Sequence, residues 1–385
     1  MALGAAINGD GSFPDGNNNL QTRMDAIYGA GTQATIWQPL FQSTFDRWSS
    51  ISGLSYVFEP FDDGAAATNG NIGISGTRAD VRIGGKNLDG NSGVLAYNWF
   101  PNRADMVIDT NDSFFTNTAN TSLRLRNVVA HEHGHGLGMD HVDPSVGKTL
   151  MEPFVSTAYN GPQFHDILVA QRGYGDALEK TNSGLGNDVV TRATALGAVA
   201  PGSPVSIGNS PRVNMANNNN VVAFTATDFI SIDSSTDTDF FSFSVASAGN
   251  VNVLLEALGI TYDARPQGNT NVFNFNTRNR IDMALRLFST DGTTLLQFAD
   301  LNGFGGDELI NFFLPAAGTY FVSVNGIENG DAVALDTQFY GLTVSFSAAI
   351  PEPTTVAFIG LVGVGITGTW WNRRRKLQVR FGRKI

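Results

Sequence analysis

Four of the five histidines of this chain fall within eleven residues, the run His131-Glu132-His133-Gly134-His135-Gly136-Leu137-Gly138-Met139-Asp140-His141. Residues four apart on an α-helix project from one face, so His131 and His135 can offer two imidazole nitrogens to a single metal ion. Glu132, next to the first of them, is placed to reach a water on that metal. Gly138 stands where the helix should stop, because glycine takes the left-handed conformation of a helix end at little cost. The reversal there would bring back His141 as a third ligand. Three neutral nitrogens and an open fourth position describe a catalytic zinc, whereas structural zinc sites are closed by four protein ligands. His133, two residues from His131, points about 200° away and reads as a supporting or exposed residue.

Such a site needs a helix to carry it and a frame to hold the helix. The carrier is expected from about Ser122, with Leu125, Val128 and Val129 on its buried side. An earlier helix over 35–50 places Trp37, Leu40, Phe41, Phe45 and Trp48 on one apolar face. Alternation at 54–58, 72–74, 79–83, 94–100 and 106–108 predicts a sheet of about five strands. Residues 1–32, rich in Gly, Asn and Asp, read as an irregular lead-in. A last helix is expected over 164–174, before Gly175-Asp176 ends the unit. His165, alone at the start of that helix, reads as structural.

At 385 residues the chain exceeds one ordinary core, so two domains with tails are expected. The net charge of −11 leaves no basic face outside the extreme C-terminus, which argues against a nucleic-acid partner. Cysteine is absent. That excludes disulfides, thiolate zinc sites and cysteine nucleophiles, and leaves histidine and carboxylate as metal ligands.

The run from His131 to His141 resembles the elongated zinc motif of the metzincin metallopeptidases. Within that clan it is most similar to the matrixins, through His135-Gly136-Leu137-Gly138, the later Leu150-Met151-Glu152-Pro153, and Asp89-Gly90-Asn91-Ser92-Gly93-Val94-Leu95-Ala96 upstream. The resemblance implies an α+β zincin-like fold with a mixed sheet and three helices, over residues 33–180. It implies that His131, His135 and His141 bind one catalytic Zn2+, that Glu132 is the general base, and that Met151 floors the metal. Leu95, Ala96 and Tyr97 would form the edge strand along which an extended peptide substrate pairs, and the loop 142–165 would wall the adjoining pocket. The positions matching the family's second, structural zinc are Arg82, Gly84, Tyr97 and Val107, none of them a zinc ligand. A calcium loop is implied at Asp89, Asp109 and Asp112, where carboxylates and glycines suit a hard cation. The family's inhibitory cysteine has no counterpart, so latency by a cysteine switch is excluded.

The second half carries strand signals at 240–245, 251–255, 283–288, 320–324 and 340–346, separated by Gly, Asn and Asp. These predict an all-β sandwich over 185–348. Asp237-Thr238-Asp239-Phe240-Phe241-Ser242-Phe243 and Ala317-Gly318-Thr319-Tyr320-Phe321-Val322-Ser323-Val324 resemble the bacterial pre-peptidase C-terminal domain. That resemblance implies an accessory module, with a carbohydrate or matrix polysaccharide as a candidate partner and a stabilising spacer as the other reading. Pro351-Glu352-Pro353 then precedes an uncharged span, 354–371, and Asn372-Arg373-Arg374-Arg375-Lys376. The span is about long enough to cross a bilayer as a C-terminal transmembrane helix, with its basic end cytoplasmic. The order over 351–376 resembles the PEP-CTERM sorting signal. It implies an exosortase-type partner in the inner membrane of a Gram-negative bacterium, and delivery to the envelope or extracellular matrix. Residues 1–7 lack the basic segment of a signal peptide, so the true start is expected upstream. The whole points to an exported zinc endopeptidase; the alternative is a non-catalytic surface or biofilm-matrix protein, such as an adhesin.

Overall fold

Apolar spacing places the first helices. A computed structural model describes residues 1–9, 11–67, 72–144, 149–216, 221–234, 236–326 and 336–349. Helix α1, Leu20–Tyr28, lies inside the stretch expected to be irregular. Leu20 and Met24, one turn apart, are buried in a core with Trp37 and Phe41, which outweighs the Gly- and Asn-rich flanks. A wide turn over Gln33–Trp37 leads into α2, Gln38–Ser50, whose Leu40, Phe41, Thr44 and Trp48 face inward. Helix α3, Ala119–Gly136, sets Leu125, Val128 and Val129 against Leu40 and Phe41. The Trp48 indole N–H donates to the Ala130 carbonyl at 3.3 Å, fixing α2 on the helix that carries the histidines. Side chains of this size contribute about 1.5–3 kcal/mol each when fully buried.

The sheet is smaller than expected. Strands β1 (Ile83–Lys86), β2 (Ala96–Asn98) and β3 (Met106–Asp109) lie in the order β1–β3–β2, the first pair parallel and the second antiparallel. Among the described residues, 54–58, 72–74 and 79–82 add no strand to it. Alternation is only half of what a strand needs; the other half is something to bury against. Val57 is 91% exposed and Phe58 58% exposed, so these two side chains have no covered face. Beyond α3 come β4, Val142–Pro144, and α4, Phe164–Tyr174. Among the described residues the first half thus holds four helices of nine or more residues, one more than expected.

In the second half each of the five expected segments lies inside an observed strand. Thr238–Val245 joins Leu295–Ala299, Met283–Phe288, Gly318–Gly326 and Thr194–Ala198 in one sheet. Gly249–Leu258 joins Glu308–Leu314, Gln338–Ala348, Val205–Ile207 and Ile230–Ile232 in the other. Phe241, Phe243, Val253, Leu255, Leu285, Val322 and Val344 fill the space between. The two halves also share a core, in which Phe164, Ile167 and Trp48 pack with Phe229, Leu258 and Phe339. A hairpin over 261–276 leaves the sandwich and pairs with β4, registering Pro266 with Val142 and Arg265 with Asp143. Among the described residues no helix is long and apolar enough to cross a membrane; the expected span 354–371 lies outside them.

Arg82, where the resemblance puts a ligand of the second zinc, enters β1 as a buried cation. Its guanidinium pairs with Asp105 at 2.6 Å and donates to the carbonyls of Ala65 at 2.8 Å and Ala66 at 3.3 Å. It therefore ties the long irregular segment to the sheet. Burial raises the Asp105 carboxyl above its usual range, and Arg82 opposes that shift. Removing one member of a buried pair costs more than removing both, because the survivor keeps its desolvation penalty. Arg82→Met is therefore expected to cost about 3–5 kcal/mol in urea unfolding. Arg82→Met with Asp105→Leu should recover most of that loss.

Candidate metal centre

Helix α3 delivers His131 and His135 one turn apart, and the chain reverses at Gly138, whose φ is 97°. Only glycine takes that value without strain. The reversal returns His141 so that its Nε2 lies 3.0 Å from His131 Nε2 and 3.1 Å from His135 Nε2. The protonation of each ring follows from its other nitrogen. His131 Nδ1 sits 2.7 Å from the Leu150 carbonyl and His135 Nδ1 sits 2.8 Å from the Met139 carbonyl. A carbonyl only accepts, so both Nδ1 atoms carry the proton and both Nε2 atoms present lone pairs. His141 Nδ1 faces Gln267 Oε1 at 2.5 Å, which assigns its ring the same tautomer. Three lone pairs thus converge on one point, a donor set that fits a cation and repels itself without one. Tetrahedral zinc, with Zn–N bonds of about 2.0–2.1 Å, sets its nitrogens roughly 3.3 Å apart, close to the observed spacing.

Burial supports the neutral rings. It pushes His131 down to about 3, with His135 nearby adding to the effect, and lowers His135 as well. Glu132 is 7% exposed, and burial pushes its carboxyl up to about 8. His133 belongs to the frame and is not on the surface. It is buried against Phe45 and Trp48, and one ring nitrogen bonds the Tyr56 hydroxyl at 2.6 Å.

Met151 packs against α3 at Gly134, one residue before His135. A Cβ built on Gly134 would be 2.4 Å from Met151 Sδ, so the thioether fits only because that position has no side chain. The turn carrying Met151 is held by Asp166, whose buried carboxylate accepts from Leu150 N at 2.7 Å, Met151 N at 3.3 Å and Gln163 N at 2.8 Å. Since Leu150 supplies the acceptor for His131, Asp166 acts on the metal centre through one peptide group. Asp166 went unread in the sequence, although Gln163-x-x-Asp166 ahead of an apolar run is a capping-box pattern.

Of the expected substrate strand, Ala96 and Tyr97 lie in β2, at the edge of the sheet, with Leu95 just before it. The strand runs toward the triad, and Phe100 just beyond it packs edge-on against His135 at 5.7 Å. The loop 142–165 begins as β4, occupied by the sandwich hairpin. His165 faces the same hairpin, bonded to the Tyr262 hydroxyl. Asp89, Asp109 and Asp112 are not gathered into one ligand set. Asp89 accepts from Val94 N, Asp109 from Gly90 N and Asn111 N, and Asp112 from Ser92 N and Phe114 N.

Among the described residues a second group could hold a metal, formed by Glu179, Asp237 and Asp239. Sequence reading missed it because its members are scattered. Asp239 and Asn187 are buried, and each has an Oδ1 without a hydrogen-bond partner. Burial pushes Asp176, Glu179 and Asp237 up to about 7, and neighbouring carboxylates add to it.

Residues 17–175 match the matrixin family, and residues 237–326 match the bacterial pre-peptidase C-terminal domain. The hatching enzyme of Paracentrotus lividus is 31% identical over 162 residues, covering 38% of this chain and 23% of that protein. Stromelysin-3 of Xenopus laevis is 40% identical over 80 residues, covering 20% of this chain and 16% of that protein. The chain therefore spans less than a quarter of the length of either. Among solved structures, the pre-peptidase C-terminal domain of a Bacillus anthracis collagenase covers 40% of the chain and 94% of its own, at 19% identity and a TM-score of 0.21. The chain thus carries a matrixin domain followed by a β-rich pre-peptidase C-terminal domain, and the carboxylates sit at their seam.

A carboxyl whose pKa is raised by folding keeps its proton when the unfolded chain has lost it, so stability falls as pH rises from about 4 toward the folded value. For Asp237 that loss is complete above about 7. With EDTA present, Asp237→Asn is expected to gain stability over the wild type by about 1–2 kcal/mol more at pH 8 than at pH 5.5. Parallel denaturation curves at the two pH values check this.

Proposed function

We propose that the protein is a zinc-dependent endopeptidase, with His131, His135 and His141 as metal ligands and Glu132 as general base. The observation that carries this reading is the convergence of three histidine Nε2 atoms, with the buried Glu132 next to His131 on α3, within a matrixin domain. Bound there, zinc would polarise the scissile carbonyl and lower the pKa of the attacking water to about 7. A bound cation would favour the ionised form of Glu132 against its burial, and the carboxylate would then take that water's proton as the new C–O bond forms. It returns the proton to the amide nitrogen as the C–N bond breaks, so one carboxylate serves as base and then as acid. β2 lies at the edge of its sheet, where an extended peptide could pair as an added strand, which favours protein substrates. Met151, packed on Gly134, would supply an apolar floor to the metal.

Export to the cell envelope through a PEP-CTERM signal belongs to the same proposal and rests on the sequence at 351–376. Fractionation of cells with and without the tail tests it; equal distribution would remove the sorting role. Calcium at Asp89, Asp109 and Asp112 belongs to the same proposal and rests on the carboxylates and glycines of that stretch of sequence.

Glu132→Gln preserves the shape of the side chain and removes its basicity. Peptide cleavage should fall by about 10²–10⁴-fold, with zinc content unchanged. Equal cleavage by the variant would refute the base. Zinc binding by the wild type without any cleavage would favour the adhesin or matrix-protein reading.

A further inference from the structure

His131 and His135 are oriented by carbonyls of their own domain, Leu150 and Met139. His141 is not. Its Nδ1 meets the side-chain oxygen of Gln267, 126 residues away on the hairpin of the other domain. Gln267 grips the same residue twice, because its backbone N–H also donates to the His141 carbonyl at 3.3 Å. The neighbouring residues fix the register. Pro266 pairs with Val142 and Arg265 with Asp143 in the shared three-stranded sheet, and the Arg265 guanidinium lies 2.6 Å from the Asp143 carboxylate. At the other side of the hairpin Tyr262 bonds His165 and packs with Phe275.

We propose that Gln267 is a positioning residue for the metal centre: the second domain supplies the acceptor that holds His141 in its metal-binding tautomer and orientation. An imidazole on a chain reversal has two tautomers and more than one ring orientation open to it. Only the Nδ1–H form, with the ring turned inward, offers Nε2 to the triad. An acceptor on Nδ1 selects both at once, as the two carbonyls do for the other rings. The hairpin is then part of the peptidase site, and the docked sandwich is required for full metal affinity. This inference rests on the zinc-peptidase reading above.

The test measures zinc dissociation constants by chelator competition on the full-length protein, with cobalt(II) absorption as a second readout of ligand geometry. Gln267→Leu, which keeps size but loses the acceptor, should weaken zinc binding about 10–100-fold and alter the cobalt bands. Gln267→Glu, which keeps an acceptor, should bind within about threefold of the wild type, an allowance well inside that loss. In a His141→Ala background, Gln267→Leu should change nothing further, which separates positioning from a general loss of folding. Wild-type affinity in Gln267→Leu, an equal loss in Gln267→Glu, or an additive loss on His141→Ala would each overturn the role of Gln267. A wild-type protein that binds no zinc would overturn the zinc-peptidase reading and this one together.

Discussion

Three neutral imidazoles with their lone pairs turned toward one point repel one another, and only a cation makes the arrangement favourable. Much of the matrixin domain enforces it. Trp48 fixes the histidine helix on α2, Gly138 turns the chain, and Asp166 pins the turn whose Leu150 carbonyl orients His131. Each device is ordinary: an indole hydrogen bond, a left-handed glycine, a buried carboxylate facing backbone N–H groups. Together they convert an eleven-residue sequence run into a pocket where three imidazole nitrogens converge.

The centre was legible in the sequence because its ligands are close along the chain and their spacing is helical. The same holds for the sandwich, whose alternating strands bury one face and expose the other. Legibility failed where the deciding fact lay far away. Nothing near Val57 or Phe58 says that no neighbouring strand will cover them. Nothing near Gln267, in a polar turn, says that it will meet His141. The helix at Leu20 was hidden differently, by loop-like flanks around two buried residues. Asp166 was readable in principle, from a capping pattern that the zinc motif overshadowed.

The two domains are not beads on a string. Phe229 and Phe339 complete a core that begins at Trp48, the hairpin extends a strand of the partner domain, and carboxylates crowd the junction where one ends and the other begins. A seam that combines a shared apolar core with concentrated negative charge is held by one force and strained by another. Its strength should therefore follow proton and cation activity, while the core on either side does not.

Arg82 gives the irregular segment at 54–67 an anchor that is synthesised with the chain. A loop closed by a guanidinium is complete when the polypeptide is complete and draws on no external supply. The attachment of that segment can then form in surroundings poor in transition metals and survive a chelator. Under the zinc-peptidase proposal, the catalytic ion could then be withdrawn without releasing this segment.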